Sequence, residues 1–264
     1  MTYTIGNAWC DENGRSTGGK PGDQKQSTTP DRSGEVRLQA FYISSKGWLI
    51  LRAKSTKHAE KLAKLMIKAC NNVNIGYSQS DRYGIIEKGI KSKTPTNCDC
   101  SSLIRECVQE ATGKKIPDFS TTTEVKVLEE SGLFQSAIEY TETTTLYEGD
   151  VLVTKTQGHT AIITEGFSRS NPYTEPVLDV TSKAVIKALH LAAADYFYKG
   201  EAVLWVQYEL CRVGFQAEID AAGGLDGICG ASTVNCIRQF QQIHSLVADG
   251  ICGRLTRKAL KKCK

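Results

Sequence analysis

The chain lacks the features that define several large functional classes. No apolar run approaches the ~20 residues needed to span a bilayer, so a membrane-embedded protein is not expected. No long basic run occurs, and the formal charge of +4 is small and scattered, which argues against nucleic acid as a partner. The start, Met1-Thr2-Tyr3-Thr4-Ile5-Gly6, has neither the basic residues nor the apolar stretch of a secretory signal; synthesis in the cytosol is the expectation. Paired CxxC knuckles are missing as well. Cys98, Cys100 and His159 offer three zinc-type ligands, but their spacing is not that of a knuckle and no second pair follows. Neither a metal nor an organic cofactor is expected.

What is present describes an ordinary folded protein. Hydrophobic residues make up 40% and charged residues 23%, and 264 residues suit one large or two smaller domains. The ten cysteines do not read as a disulfide framework in a chain this long without a signal. Several occupy core-like positions of helical patterns, where a thiol packs as a small hydrophobe.

Along the chain, residues 7–34 are rich in Gly, Asp, Asn, Ser and Thr and read as loop. Strand-like runs Val36–Ile43 and Trp48–Ala53 flank Ser44-Ser45-Lys46-Gly47, which predicts a hairpin. Ser55 or Thr56 then caps a helix whose stripe is Ala59, Leu62, Ala63, Met66, Ile67 and Cys70. A second stripe, Leu103, Ile104, Cys107, Val108 and Ala111, starts beside Asp99 and closes at Gly113. A helix follows at about Thr122–Glu130, and Gly149-Asp150 turns into the strand Val151-Leu152-Val153. From Asn171 the proline-punctuated Asn171-Pro172-Tyr173-Thr174-Glu175-Pro176 reads as linker, and residues 181–198 are Ala- and Lys-rich and compatible with a helix. Beyond it lies an internal repeat. Leu225-Asp226-Gly227-Ile228-Cys229-Gly230 recurs as Ala248-Asp249-Gly250-Ile251-Cys252-Gly253, each followed by a threonine and an amphipathic helix. With the helix that starts at Leu204, this predicts a small three-helix module.

Chemistry concentrates in two segments. In Asn97-Cys98-Asp99-Cys100-Ser101-Ser102-Leu103 a cysteine stands where a helix begins, and in Gly158-His159-Thr160-Ala161-Ile162-Ile163 a histidine opens an apolar strand. A helix N-terminus and an imidazole are the usual means of activating a thiol near neutral pH, which points to a cysteine hydrolase with Cys100 as nucleophile and His159 as base. The other three histidines, His58, His190 and His244, lack such a context. A third group normally orients the imidazole. Glu165, near the far end of the His159 strand, is the candidate; Glu175, Asp179 and the loop residues Asp11, Glu12 and Asn13 remain open alternatives.

Asp99-Cys100-Ser101-Ser102-Leu103, Gly149-Asp150-Val151-Leu152 and Gly158-His159-Thr160-Ala161-Ile162 together resemble the papain-like wall peptidases of the NlpC type and their CHAP relatives. The resemblance implies an α+β papain-like fold, a Cys100 nucleophile and a His159 base; the family's third polar residue has no obvious match. The C-terminal part is similar to the peptidoglycan-binding module of wall hydrolases. The motif residues Trp205, Asp226, Gly227, Gly230, Phe240, Gln241, Asp249, Gly250 and Gly253 carry that likeness and are the candidate binding residues.

The expected organisation is a catalytic domain at 1–170, a linker at 171–198 and an all-α three-helix binding domain at 199–264. The whole resembles a phage or prophage endolysin of a Gram-positive host. Such a protein cleaves an amide of the wall peptide stem or cross-bridge, acts on peptidoglycan after release through a holin, and needs no cofactor. Two alternatives stay open: an N-acetylmuramoyl-L-alanine amidase rather than an endopeptidase, and a non-catalytic wall-binding protein with a degenerate hydrolase domain.

Overall fold

The computed structural model describes residues 3–25, 28, 31–156, 158–170 and 198–263. The linker expected at 171–198, with its proposed helix, His190, Glu175 and Asp179, lies almost wholly outside them. Contacts divide the chain into two compact units, one of residues 1–142 and 146–169, the other of 143–145 and 170–264.

The first unit is built on a six-stranded sheet. Its strands in chain order are β1 (Thr4–Ala8), β2 (Val36–Ala40), β3 (Trp48–Leu51), β6 (Ile138–Glu139), β7 (Val151–Thr154) and β8 (Thr160–Glu165), arranged β2-β1-β8-β7-β3-β6. Every neighbouring pair is antiparallel. A separate parallel pair, β4 (Ile75–Tyr77) with β5 (Thr96–Cys98), leads into the helix that carries Cys100. The remaining helices of this unit are α1 (Thr56–Cys70), α2 (Gly84–Lys88), α3 (Cys100–Thr112) and α4 (Glu124–Glu130).

Both long helices form as their stripes dictate. Ser55 caps α1 by accepting from His58 N–H, and Leu62, Met66 and Cys70 bury the predicted face. At the start of α3, Ser102 N–H donates to Asp99 Oδ1 at 2.6 Å and Asp99 N–H donates to Ser102 Oγ at 2.9 Å, a reciprocal cap. Gly113, with φ of 72°, ends the helix in the left-handed region. The two helices share one core with Val151, Val153 and Ile162 on one face of the sheet. A smaller aromatic-rimmed core of Ile5, Trp48, Ile50, Leu152, Ala161 and Ile163 lies on the other face, packed with Tyr3, Phe41, Tyr42 and Tyr140.

Two expectations need correction. The segment at 44–47 does turn, with Gly47 N–H donating to Ser44 O, but no hairpin forms: β2 pairs with β1, and β3 pairs with β7 and β6. A hairpin and a crossover need the same local reversal, so the turn residues cannot separate them. The loop expected at 7–34 starts later than its composition implied: Asn7 and Ala8 belong, with residues 4–6, to the inner strand β1, held there by its partners β2 and β8. Its Gly6 is a packing requirement, because a Cβ there would stand 2.4 Å from Met66 Cγ.

The second unit contains β9 (Tyr198–Lys199), α5 (Glu201–Leu210), a π-helical segment Cys211–Phe215, α6 (Gln216–Ala221), β10 (Ile228–Cys229), α7 (Ala231–Ile243) and α8 (Arg254–Lys262). The expected all-α three-helix module thus has a fourth, short helix and a two-stranded β9–β10 pair. Gly214, with φ of 108°, interrupts the first helix and makes α6 a separate piece. Among the described residues no helix is long and apolar enough to cross a membrane.

Candidate active site

Cys100 is the first residue of α3 and is 7% exposed. Its thiol faces the main-chain N–H of Thr160, the residue that follows His159 and opens β8. Burial pushes the thiol up to about 12; the Asp99 and Glu124 carboxylates add to this, while the Ser101 hydroxyl and Thr160 N–H oppose it. Asp99 does not stand alone. Arg82 Nε donates to its Oδ2 at 2.7 Å, and the same guanidinium reaches Asp118 at 2.9 Å and the Phe119 carbonyl at 2.6 Å.

His159 is held by Thr154. His159 N–H donates to Thr154 Oγ1 at 3.1 Å, and Thr154 N–H donates to His159 O at 3.0 Å. The imidazole packs edge-on against Trp9, with centroids 5.4 Å apart, and lies 6.3 Å from the Trp48 ring. Arg37 stacks on the same Trp9 at 4.7 Å. Burial, with the Arg37 charge adding, lowers the imidazole to about 4, so it is neutral near pH 7. Its Nε2 is buried without a hydrogen-bond partner. The ring stands just before β8, between Trp9 and Trp48, while Thr160 Oγ1 donates to Glu124.

Glu165 does not orient the imidazole. Six residues of extended strand carry it about 20 Å from His159, and its Oε2 accepts from Thr4 Oγ1 at 2.6 Å. The N-terminal loop contributes differently from the polar residues named for it. Asp11 Oδ1 is occupied by Asn13 and Arg15 N–H groups, and Glu12 accepts from Lys20 N–H. Trp9 is what that segment brings to His159. A tryptophan beside a Gly/Asp-rich loop was the available signal. Arg37, Arg82 and Glu124 carried none, because their meaning depends on distant partners.

Cys98, weighed as a zinc ligand, is fully buried and donates to Gly76 O at 3.5 Å. Among the described residues no group of three His, Cys, Asp or Glu is placed to hold a metal ion. Cys107 lies in the core of α3, as its stripe position implied. The Gly149-Asp150 motif is structural: Asp150 is buried, accepts from Tyr147 N–H at 3.0 Å and pairs with Arg52 at 3.2 Å.

In the second unit the motif residues build the module's interior. Gln207 Nε2 donates to Asp226 Oδ1, Ile228 O and Thr233 Oγ1 at 2.8, 3.2 and 3.3 Å, and its Oε1 accepts from Gly227 N–H. The second copy repeats this. Gln241 Nε2 donates to Asp249 Oδ1, Ile251 O and Thr256 Oγ1 at 2.8, 3.0 and 3.1 Å, and its Oε1 accepts from Gly250 N–H. Trp205, Phe240 and Gln241 are all at least 97% buried, which corrects their reading as side chains that touch a polymer. Gly227 and Gly250 serve the turns with positive φ, and Gly230 and Gly253 are the N-cap positions of α7 and α8. Among the described residues of the module, the large apolar side chains exposed are Ile243, Val247 and Leu255.

Similarity to known proteins agrees with this division. Residues 5–169 match the endolysin-like domain, and residues 199–260 match a putative peptidoglycan binding domain. The chain is also 39% identical over 64 residues to the N-acetylmuramoyl-L-alanine amidase CwlL of Bacillus licheniformis, covering 24% of this chain and 18% of that protein. The chain therefore spans less than a fifth of the length of this relative. No solved structure matches it. With the match running through both β1 and β8, the chain belongs to the endolysin-like domain family.

Proposed function

We propose that this protein hydrolyses an amide bond of peptidoglycan by cysteine catalysis, its second unit holding the enzyme on the wall. The observation that carries the reading is the position of Cys100, first residue of a capped helix, with its thiol against the N–H that follows His159. An antiparallel sheet with the cysteine helix packed on one face supports a papain-like unit of the NlpC or CHAP type. A phage-type lysin fits the pairing of an endolysin-like domain with a wall-binding one.

The resting pair is neutral, because burial raises the thiol and lowers the imidazole. Proton transfer therefore accompanies attack. As Cys100 Sγ bonds to the amide carbon, its proton passes to His159, and the carbonyl oxygen becomes an oxyanion. Ser102 N–H is taken by Asp99, and Leu103 N–H returns to Asp99 O. The Cys100 and Ser101 N–H groups are the donors aimed at the oxyanion. His159 then protonates the leaving amine, and water hydrolyses the thioester. The binding unit raises effective concentration on an insoluble substrate, and its exposed Ile243, Val247 and Leu255 are the proposed contact surface.

Cys100→Ala should abolish clearing of purified cell walls while leaving the circular dichroism spectrum unchanged; clearing at the wild-type rate would refute the mechanism. Mass spectrometry of the released fragments identifies the bond. A free L-alanine amino terminus means amidase cleavage, as the relative's name favours. A cut within the stem or cross-bridge means endopeptidase cleavage.

A further inference from the structure

Glu124, the first residue of α4, is wholly inaccessible to solvent. Thr160 Oγ1 donates to its Oε1 at 2.7 Å, and its Oε2 is buried with no hydrogen-bond partner. An unpaired buried carboxyl is costly, and such groups concentrate where chemistry needs them. What distinguishes this one is the residue it grips. Thr160 gives its hydroxyl to Glu124 and turns its main-chain N–H to Cys100 Sγ, and the peptide carrying that N–H is the one that joins it to His159.

We propose that Glu124 is a positioning residue for the nucleophile, acting through Thr160 to hold the 159–160 peptide N–H on the Cys100 sulfur. The proposal rests on the cysteine mechanism above. The charged and titratable groups coupled to Glu124 are Asp99, the N-cap of α3 and itself paired to Arg82, and Cys100, the first residue of that helix. Burial, with Asp99 adding, raises the Glu124 carboxyl well above the usual carboxylate range. Neutral, it accepts from Thr160 without setting a second negative charge beside the thiolate. Ionised at high pH, it opposes thiolate formation.

The test uses the full chain carrying Glu124→Ala, Glu124→Gln or Thr160→Val, with Cys100→Ala alongside. Each is measured for wall hydrolysis and for the pH dependence of iodoacetamide alkylation at Cys100, followed on its peptide by mass spectrometry. Glu124→Ala and Thr160→Val should lower kcat about 10- to 100-fold with little change in KM, as loss of alignment does. Glu124→Gln should restore most of that loss and shift the Cys100 alkylation midpoint to lower pH than in the wild type. Wild-type rates and an unmoved alkylation profile in folded Glu124→Ala overturn the proposal. If Glu124→Ala does not fold, Glu124→Gln and Thr160→Val decide it: an unmoved midpoint in the first, or full activity in the second, overturns it. Should Cys100→Ala remain active, the cysteine mechanism fails separately, while the alkylation profile still reports whether Glu124 governs the thiol.

Discussion

Cys100 and His159 owe their protonation states to neighbours that the sequence holds far from them. Arg37 lies on β2, yet its charge reaches the imidazole across Trp9 and adds to the effect of burial. With His159 lowered to about 4, the acid limb of kcat/KM should fall near that pH rather than at the ~6.5 of a free imidazole. Arg37→Gln removes the smaller of the two causes, so the limb should move upward but stay below ~6.5. A pH–rate series on purified walls checks this, and an unmoved limb would show that Arg37 does not act on His159. The same site shows the limit of reading residues from pattern. Glu165 ends the strand that His159 immediately precedes, and extension along that strand is what separates them. Glu124 had no such link in the sequence and reaches Thr160 only through the fold.

Among the elements, the loop between β1 and β2 carries the clearest pH signature. Burial and a hydrogen bond with Asp31 push Asp23 up to about 6, and burial pushes Glu35 up to about 7. For acids raised in this way, the folded state binds more protons than the unfolded chain. The stability they contribute is therefore full below the ordinary carboxylate range, near pH 4, and is lost as pH rises through about 6 and 7. Asp23→Asn keeps an acceptor for the Lys25 and Glu35 N–H groups and supplies a permanent hydrogen for Asp31. It should raise Tm at pH 8 and leave it unchanged at pH 4, as calorimetry at the two pH values can show. Equal shifts at both would mean that no proton is involved. Helices were the legible elements, since α1 and α3 write their packing faces and caps into consecutive residues. β1 was not, because Thr4-Ile5-Gly6-Asn7-Ala8 has little strand propensity and is defined by its partners β2 and β8.

For the whole molecule, the repeat in the second unit is a structural device used twice. Gln207 and Gln241 each satisfy an aspartate, a glycine N–H, a carbonyl and a threonine, and so tie a helix to the turn that follows. Gln241→Ala leaves the Gly250 N–H without its acceptor, at a cost of about 1–3 kcal/mol where no water replaces it, while the Ile251 carbonyl keeps the Gly253 N–H. Its thermal transition should drop, and pelleting with walls should weaken only where the unit unfolds. Leu255→Ser, on an exposed side chain, should weaken pelleting with no change in Tm. Pelleting unaffected by Leu255→Ser would move the contact surface elsewhere.

The sequence by itself determined what depends on neighbours along the chain. Asp99, Ser102 and Gly113 bound a helix with Cys100 at its first position, and the repeated Asp-Gly turns announce a module with two equivalent parts. These are local, because caps, stripes and turns are closed by residues a few positions apart. Only the tertiary structure decided which strands pair across the 44–47 turn, that Trp205, Phe240 and Gln241 face inward, and that Trp9, Arg37 and Glu124 surround the site. The reason is physical: pairing across a sheet, burial and electrostatic environment are properties of groups distant in sequence, and no local pattern encodes the distance between them.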